Sequence, residues 1–176
     1  IGFDGLIHLP NVDNTAQEIN QAAAPTDAMF NSLRVKLDKY AVRPSDTVFI
    51  MDIATYIASL IVTNFRTVDK FGPHATVLNG QLAAVDGIPV IVCEQMLKAA
   101  SDGRVTDGTA GTLGRCLLVS RSQWRVGFKR EITIESERDI QKRQIIMVIS
   151  MRLAFMERSG TRSSATNTAM ARNITV

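Results

Sequence analysis

Two histidines and two cysteines are the side chains here best suited to chemistry near neutral pH. His8 and His74 each stand close to a proline in loop-like stretches. Cys93 and Cys116 each sit inside an apolar, strand-like run, the setting of a reduced core thiol rather than of a disulfide or metal pair. His74, Asp86 and Cys93 can be written down as base, acid and nucleophile, but no spacing binds them into one site. No HExxH, CxxC or phosphate-loop pattern occurs. Gly103, Gly108, Gly111 and Gly114 lack the lysine and following helix that a phosphate cradle needs, so residues 97–114 read as an exposed, mobile loop. Arg115, Arg121, Arg125, Lys129 and Arg130, interleaved with Trp124 and Phe128, offer a weak single-strand nucleic-acid surface. A solvated or subunit-facing edge accounts for them better.

The chain has 176 residues, enough for one compact domain with a small extension. Its net charge of +3 is unevenly spread. Residues 1–100 hold 7 Lys/Arg and 10 Asp/Glu; residues 101–176 hold 13 and 7. A basic half attracts polyanions or the acidic surface of a neighbouring subunit. No apolar run approaches the roughly 20 residues of a membrane span. The absence of an initiator Met suggests a fragment or a processed product.

Which elements would position these groups? Thr26 is an N-cap candidate. Ala28, Met29, Leu33, Leu37 and Tyr40 then follow helical spacing until Pro44-Ser45. Residues 1–25 read as an irregular lead-in. Thr47 to Met51 is a short apolar strand, and Asp52 caps a second helix from Ile53 to about Thr63, closed by Asn64. That helix is apolar on most sides, which predicts burial. Asp86-Gly87 is a tight-turn signal before Ile88 to Cys93, a β-branched run expected to be a buried strand with Pro89 at its start or on an edge. Cys116 to Val119 is another strand. Trp124–Phe128 and Glu131–Glu135 look like two short strands, then a charged turn, then a long strand from Ile145 to Phe155 with apolar odd positions. Residues 159–171 are small and polar, and Asn173 to Val176 reads as a last strand. A helix, a strand, a second helix and then a run of strands predict an α+β fold rather than a regular parallel βαβ array: a mixed sheet flanked by two main helices, plus a long antiparallel β-hairpin.

Five stretches in this order resemble the major capsid protein of tailed bacteriophages, a fold shared with encapsulin shells. Gly2-Phe3-Asp4-Gly5-Leu6-Ile7 is similar to the entry after the family's spine helix. Thr47 through Tyr56 is similar to its strand-to-helix motif, with Asp52-Ile53 in place of Asn-Pro. Val85-Asp86-Gly87-Ile88-Pro89-Val90 resembles its L-x-G-x-P-V segment. Leu117 to Trp124 resembles its x-G-D-F-S strand and turn, with Ser120-Arg121 in place of Gly-Asp. Ile132 to Ser136, the charged turn, and Ile145 to Phe155 resemble its returning hairpin and E-x-R-L-A strand.

The resemblance implies a C-terminal part without N-arm, extended loop or spine helix. It implies an axial-like domain over 1–127, a peripheral-domain β-hairpin over 128–158, and a tail over 159–176 that returns to the body. It implies subunit contacts at Asp102, Arg104 and Asp107 near a capsomer axis, and at Glu137, Arg138, Asp139, Lys142 and Arg143 on the hairpin tip. Some members of the family cross-link a Lys to an Asn; the tip here offers Asp139 and no Asn, so that chemistry is not carried over. The expected role is a non-enzymatic capsid subunit forming hexamers and pentamers around double-stranded DNA held by non-specific contact. It would sit in the virion capsid, after assembly in the host cytoplasm. No cofactor, metal, membrane or small-molecule substrate is expected. An encapsulin-type compartment shell and a small basic nucleic-acid-binding domain are the alternatives. Residues 1–176 alone are expected to be a monomer or small oligomer.

Overall fold

The computed structural model describes residues 5–66, 72–75, 78, 80–94, 96, 113–139, 141–158 and 161–176. Among these, eight strands form two sheets. The strands are β1 (Glu18–Asn20), β2 (Thr47–Met51), β3 (Ala84–Val85), β4 (Ile88–Val92), β5 (Leu113–Ser120), β6 (Trp124–Asp139), β7 (Gln144–Glu157) and β8 (Thr168–Thr175). The larger sheet has the order β1-β8-β5-β2-β4-β3. It is mixed: β1 with β8 and β2 with β4 are parallel, and the other neighbours are antiparallel. The second sheet is a two-stranded ribbon of β6 and β7.

Local chemistry explains the first helix. α1 (Asp27–Leu37) starts where the Thr26 side chain accepts from Met29 N, and it buries Met29, Phe30, Leu33 and Leu37. A 3-10 turn (Asp38–Ala41) and Pro44 end the run. α2 (Ile53–Leu60) and a short α3 (Thr63–Arg66) follow β2. α2 therefore stops before Asn64, which instead donates to Asp27 Oδ2 at 3.1 Å.

The strands' period of two sorts the core into two faces. Phe49, Met51, Cys116, Leu118, Ala169 and Ala171 pack with α1, and with Tyr56 and Leu60 of α2, on one face. Val48, Leu117, Val119 and Met170 face the other way, toward Leu6, Ile7, Cys93, Met96 and Trp124. Both helices thus flank the same face. Phe30 makes edge-on contacts with Phe49 and Phe65, at centroid distances of 5.2 and 5.6 Å.

The Asp86-Gly87 turn joins β3 to β4 as expected, with φ of +51° and +78°. Its Asp86 side chain takes Arg34 Nη1 at 3.1 Å.

Four expectations are corrected. The lead-in contains a π turn (Leu9–Asp13), a 3-10 turn (Thr15–Gln17) and edge strand β1. The last strand begins at Thr168, not Asn173, and lies inside the sheet between β1 and β5. β4 is buried only at its start, since Ile91 and Val92 are exposed. The largest departure is α2, whose Ile53, Ile57 and Ile61 ridge is 54%, 58% and 66% exposed while Thr55 and Ser59 are buried. The reason lies in β5. A Cβ on Gly114 would stand 1.9 Å from Thr55 Oγ1, so at this crossing the helix sits too close to the strand for a side chain larger than Thr55, and Tyr56 and Leu60 reach the core to either side.

Candidate functional site

Among the described residues, the longest feature left uncovered by the core is the β6–β7 ribbon. Trp124–Phe128 and Glu131–Glu135, expected as two short strands, are parts of one strand, with register shifts between Phe128 and Thr133. The register sets Ile134 opposite Ile149 and Ser136 opposite Met147. Alternation then places Ile132, Ile134, Ile145, Met147, Ile149 and Met151 on one face. All six are between 47% and 71% exposed. A two-stranded ribbon has too little core of its own to be stable, and soluble monomers rarely expose so continuous an apolar strip. Such a face is built to be covered by other protein.

The ribbon is fixed at its root. The Trp124 ring stacks on Phe155 at 4.9 Å, and its Nε1 donates to Thr168 Oγ1 at 3.1 Å. Arg158 N donates to Gln123 O at 2.8 Å. Beside the root, Ser122 Oγ donates to Asp46 Oδ2 at 2.6 Å, and an Arg121 Nη2 hydrogen bond reaches Ser45 O.

Asp52 makes the joint between β2, α2 and β5. One carboxylate oxygen accepts from Ala54 N and Thr55 N, both at 3.1 Å. The other accepts from Thr55 Oγ1 at 2.5 Å and Arg115 N at 2.9 Å. Four donors converge on two acceptor oxygens. An asparagine here would turn an NH2 toward donors, which explains the departure from Asn in the resembled motif. Burial, with Asp52 nearby, pushes the Cys116 thiol well above its usual range, so this cysteine is inert packing.

Of the predicted contact residues, Glu137, Arg138, Lys142 and Arg143 come together, exposed, at the distal end of the ribbon. Arg143 takes a positive φ of 53° in the turn. Asp139 ends β6, with its side chain outside the described residues, and Asp102, Arg104 and Asp107 lie outside them altogether. The suggested nucleic-acid surface loses two members. Arg115 is fully buried, lowered from its usual value chiefly by that burial, with Glu18 opposing and Arg172 adding to the effect. Trp124 is spent on Phe155. Sequence reasoning missed Glu18 and Arg172, an ion pair between β1 and β8, because their strands were not foreseen. Among the described residues, no group of three His, Cys, Asp or Glu is placed to hold a metal, and no helix is long and apolar enough to cross a membrane. His74 is exposed in a 3-10 turn.

No family model and no curated protein matches the chain. Solved structures do. A chain from Mycobacterium phage Che8 is 14% identical with a TM-score of 0.62, over 94% of this chain and 55% of that one. The capsid of the cyanophage P-SCSP1u is 15% identical with a TM-score of 0.55, over 99% of this chain and 51% of that one. The capsid of an empty GTA particle is 11% identical with a TM-score of 0.55, over 94% and 55%. The chain spans about half the length of the chains it matches. Its fold is the tailed-phage capsid fold, as the sequence motifs implied.

Proposed function

We propose that the chain is the body of a non-enzymatic capsid subunit, one tile of an icosahedral shell around packaged DNA. One observation carries this: a six-stranded sheet holds out a ribbon whose long apolar face is exposed among the described residues. A soluble monomer gains nothing from that face, whereas a subunit surrounded by copies of itself buries it. The mixed-sign tip at Glu137, Arg138, Lys142 and Arg143 suits register-setting contacts between neighbours in hexamers and pentamers. Many weak contacts closing into a shell add up through effective concentration. DNA is held without sequence preference, assembly proceeds in the host cytoplasm, and the product is the virion wall.

Electron microscopy of the full gene product, purified from expressing cells, tests this reading. Closed shells of uniform diameter are the expected result. A product that stays dispersed under every assembly condition overturns it.

A further inference from the structure

We infer that Glu157 is a positioning residue, which with Arg162 and Asp13 forms a latch that sets the angle of the ribbon on the sheet. Glu157 is the last residue of β7, and its side chain is only 8% exposed. Its Oε1 accepts from Asn167 Nδ2 at 2.8 Å, and its Oε2 pairs with Arg162 Nε at 3.3 Å. The same Arg162 Nε lies 3.2 Å from Asp13 Oδ2, at the end of the π turn, and His8 Nε2 lies 3.7 Å from Asp13 Oδ1. Asn14 Nδ2 adds a 2.9 Å bond to Ala165 O. Glu157 thus joins the ribbon's end to the connection into β8, and Arg162 and Asn14 join that connection to the lead-in.

These bonds do not maintain the ribbon itself, whose register is held by its own backbone ladder. They act where the ribbon leaves the body. A cleft of about 440 Å³, lined by Gln123, Arg125, Met156, Glu157 and Arg158, leaves room beside the root. The latch and the Trp124–Phe155 stack oppose rotation into that room. The lever is long: sixteen residues of β6 reach roughly 50 Å at the strand rise, so a 10° turn at the root moves the tip about 9 Å. The latch therefore sets where the tip residues land.

Spin-label distance measurements on the full chain test it. One label goes at Glu137→Cys on the ribbon and one at Val35→Cys, exposed on α1, with Cys93→Ser removing the half-buried native thiol. Cys116 is fully buried and is left in place. The parent is expected to give one narrow distance. Glu157→Gln, which removes the charge and one of two acceptors, is expected to shift or broaden it by several ångströms with the far-ultraviolet spectrum unchanged. Asp13→Asn is expected to do the same more weakly. Emission of Trp124, the sole tryptophan, should move with the distance. Parental distances in both variants overturn the inference. Altered distances that always come with loss of β signal also overturn it, because they mark a merely structural role. Should Glu157→Gln not fold, Asp13→Asn decides by the same two criteria.

Discussion

Gly114→Ala is expected to remove much of the stability of the body, by about 3 kcal/mol or more in urea unfolding. The added carbon would stand 1.9 Å from Thr55 Oγ1, 3.0 Å from Val176 Cγ1 and 3.1 Å from Asp52 Oδ1. Thr55 cannot simply turn away, because its hydroxyl is bonded to the Asp52 carboxylate and is fully buried. Thr55→Ala alone removes that hydrogen bond and should cost about 1–2 kcal/mol. In the double variant the worst clash is gone, so its loss should be smaller than the sum of the two single losses by about 1–3 kcal/mol. Strict additivity would mean that α2 does not lie against β5 at Gly114.

Ile134→Glu together with Ile149→Glu is expected to abolish assembly while leaving the body's unfolding midpoint within the range of ordinary surface changes. The two residues pair across the ribbon, at 63% and 66% exposure, so charge there costs the isolated chain little. Buried in a subunit contact, the same two charges would be desolvated without partners, at several kcal/mol per contact. A shell repeats that penalty at every contact. Sedimentation of the double variant should show only slow species where the parent sediments as particles. Particle yield equal to the parent would show that this face stays in water. A collapsed unfolding midpoint would show that it packs within the chain.

What the sequence disclosed was mostly what neighbours along the chain decide. Thr26 and Asp52 as caps, Thr47–Met51 as a strand and Asp86-Gly87 as a tight turn each follow from a few adjacent side chains, and each is found. β8 was hidden because Thr168, Ala169, Met170 and Ala171 look like a small, polar-flanked tail. Only pairing with β1 and with β5, about fifty residues away or more, makes them the inside of a sheet. The α2 reversal was hidden for a related reason. Apolar content predicts burial, but the close approach at Gly114 puts small Thr55 and Ser59 at the crossing, with Tyr56 and Leu60 packed beside them, and it turns three isoleucines outward. In the ribbon, the alternation of Ile145 to Phe155 was plain, yet its apolar face reads as core until the structure shows Ile145, Met147 and Ile149 exposed.

The central claim, that this sheet and ribbon are a tile completed by its neighbours, is tested most directly by a residue-resolution electron cryomicroscopy map of particles formed by the full gene product. The prediction is a wall built from this fold, with Ile134, Met147 and Ile149 covered by adjacent protein. Particles whose wall is another chain, or a wall of this chain with that face open to solvent, would contradict it.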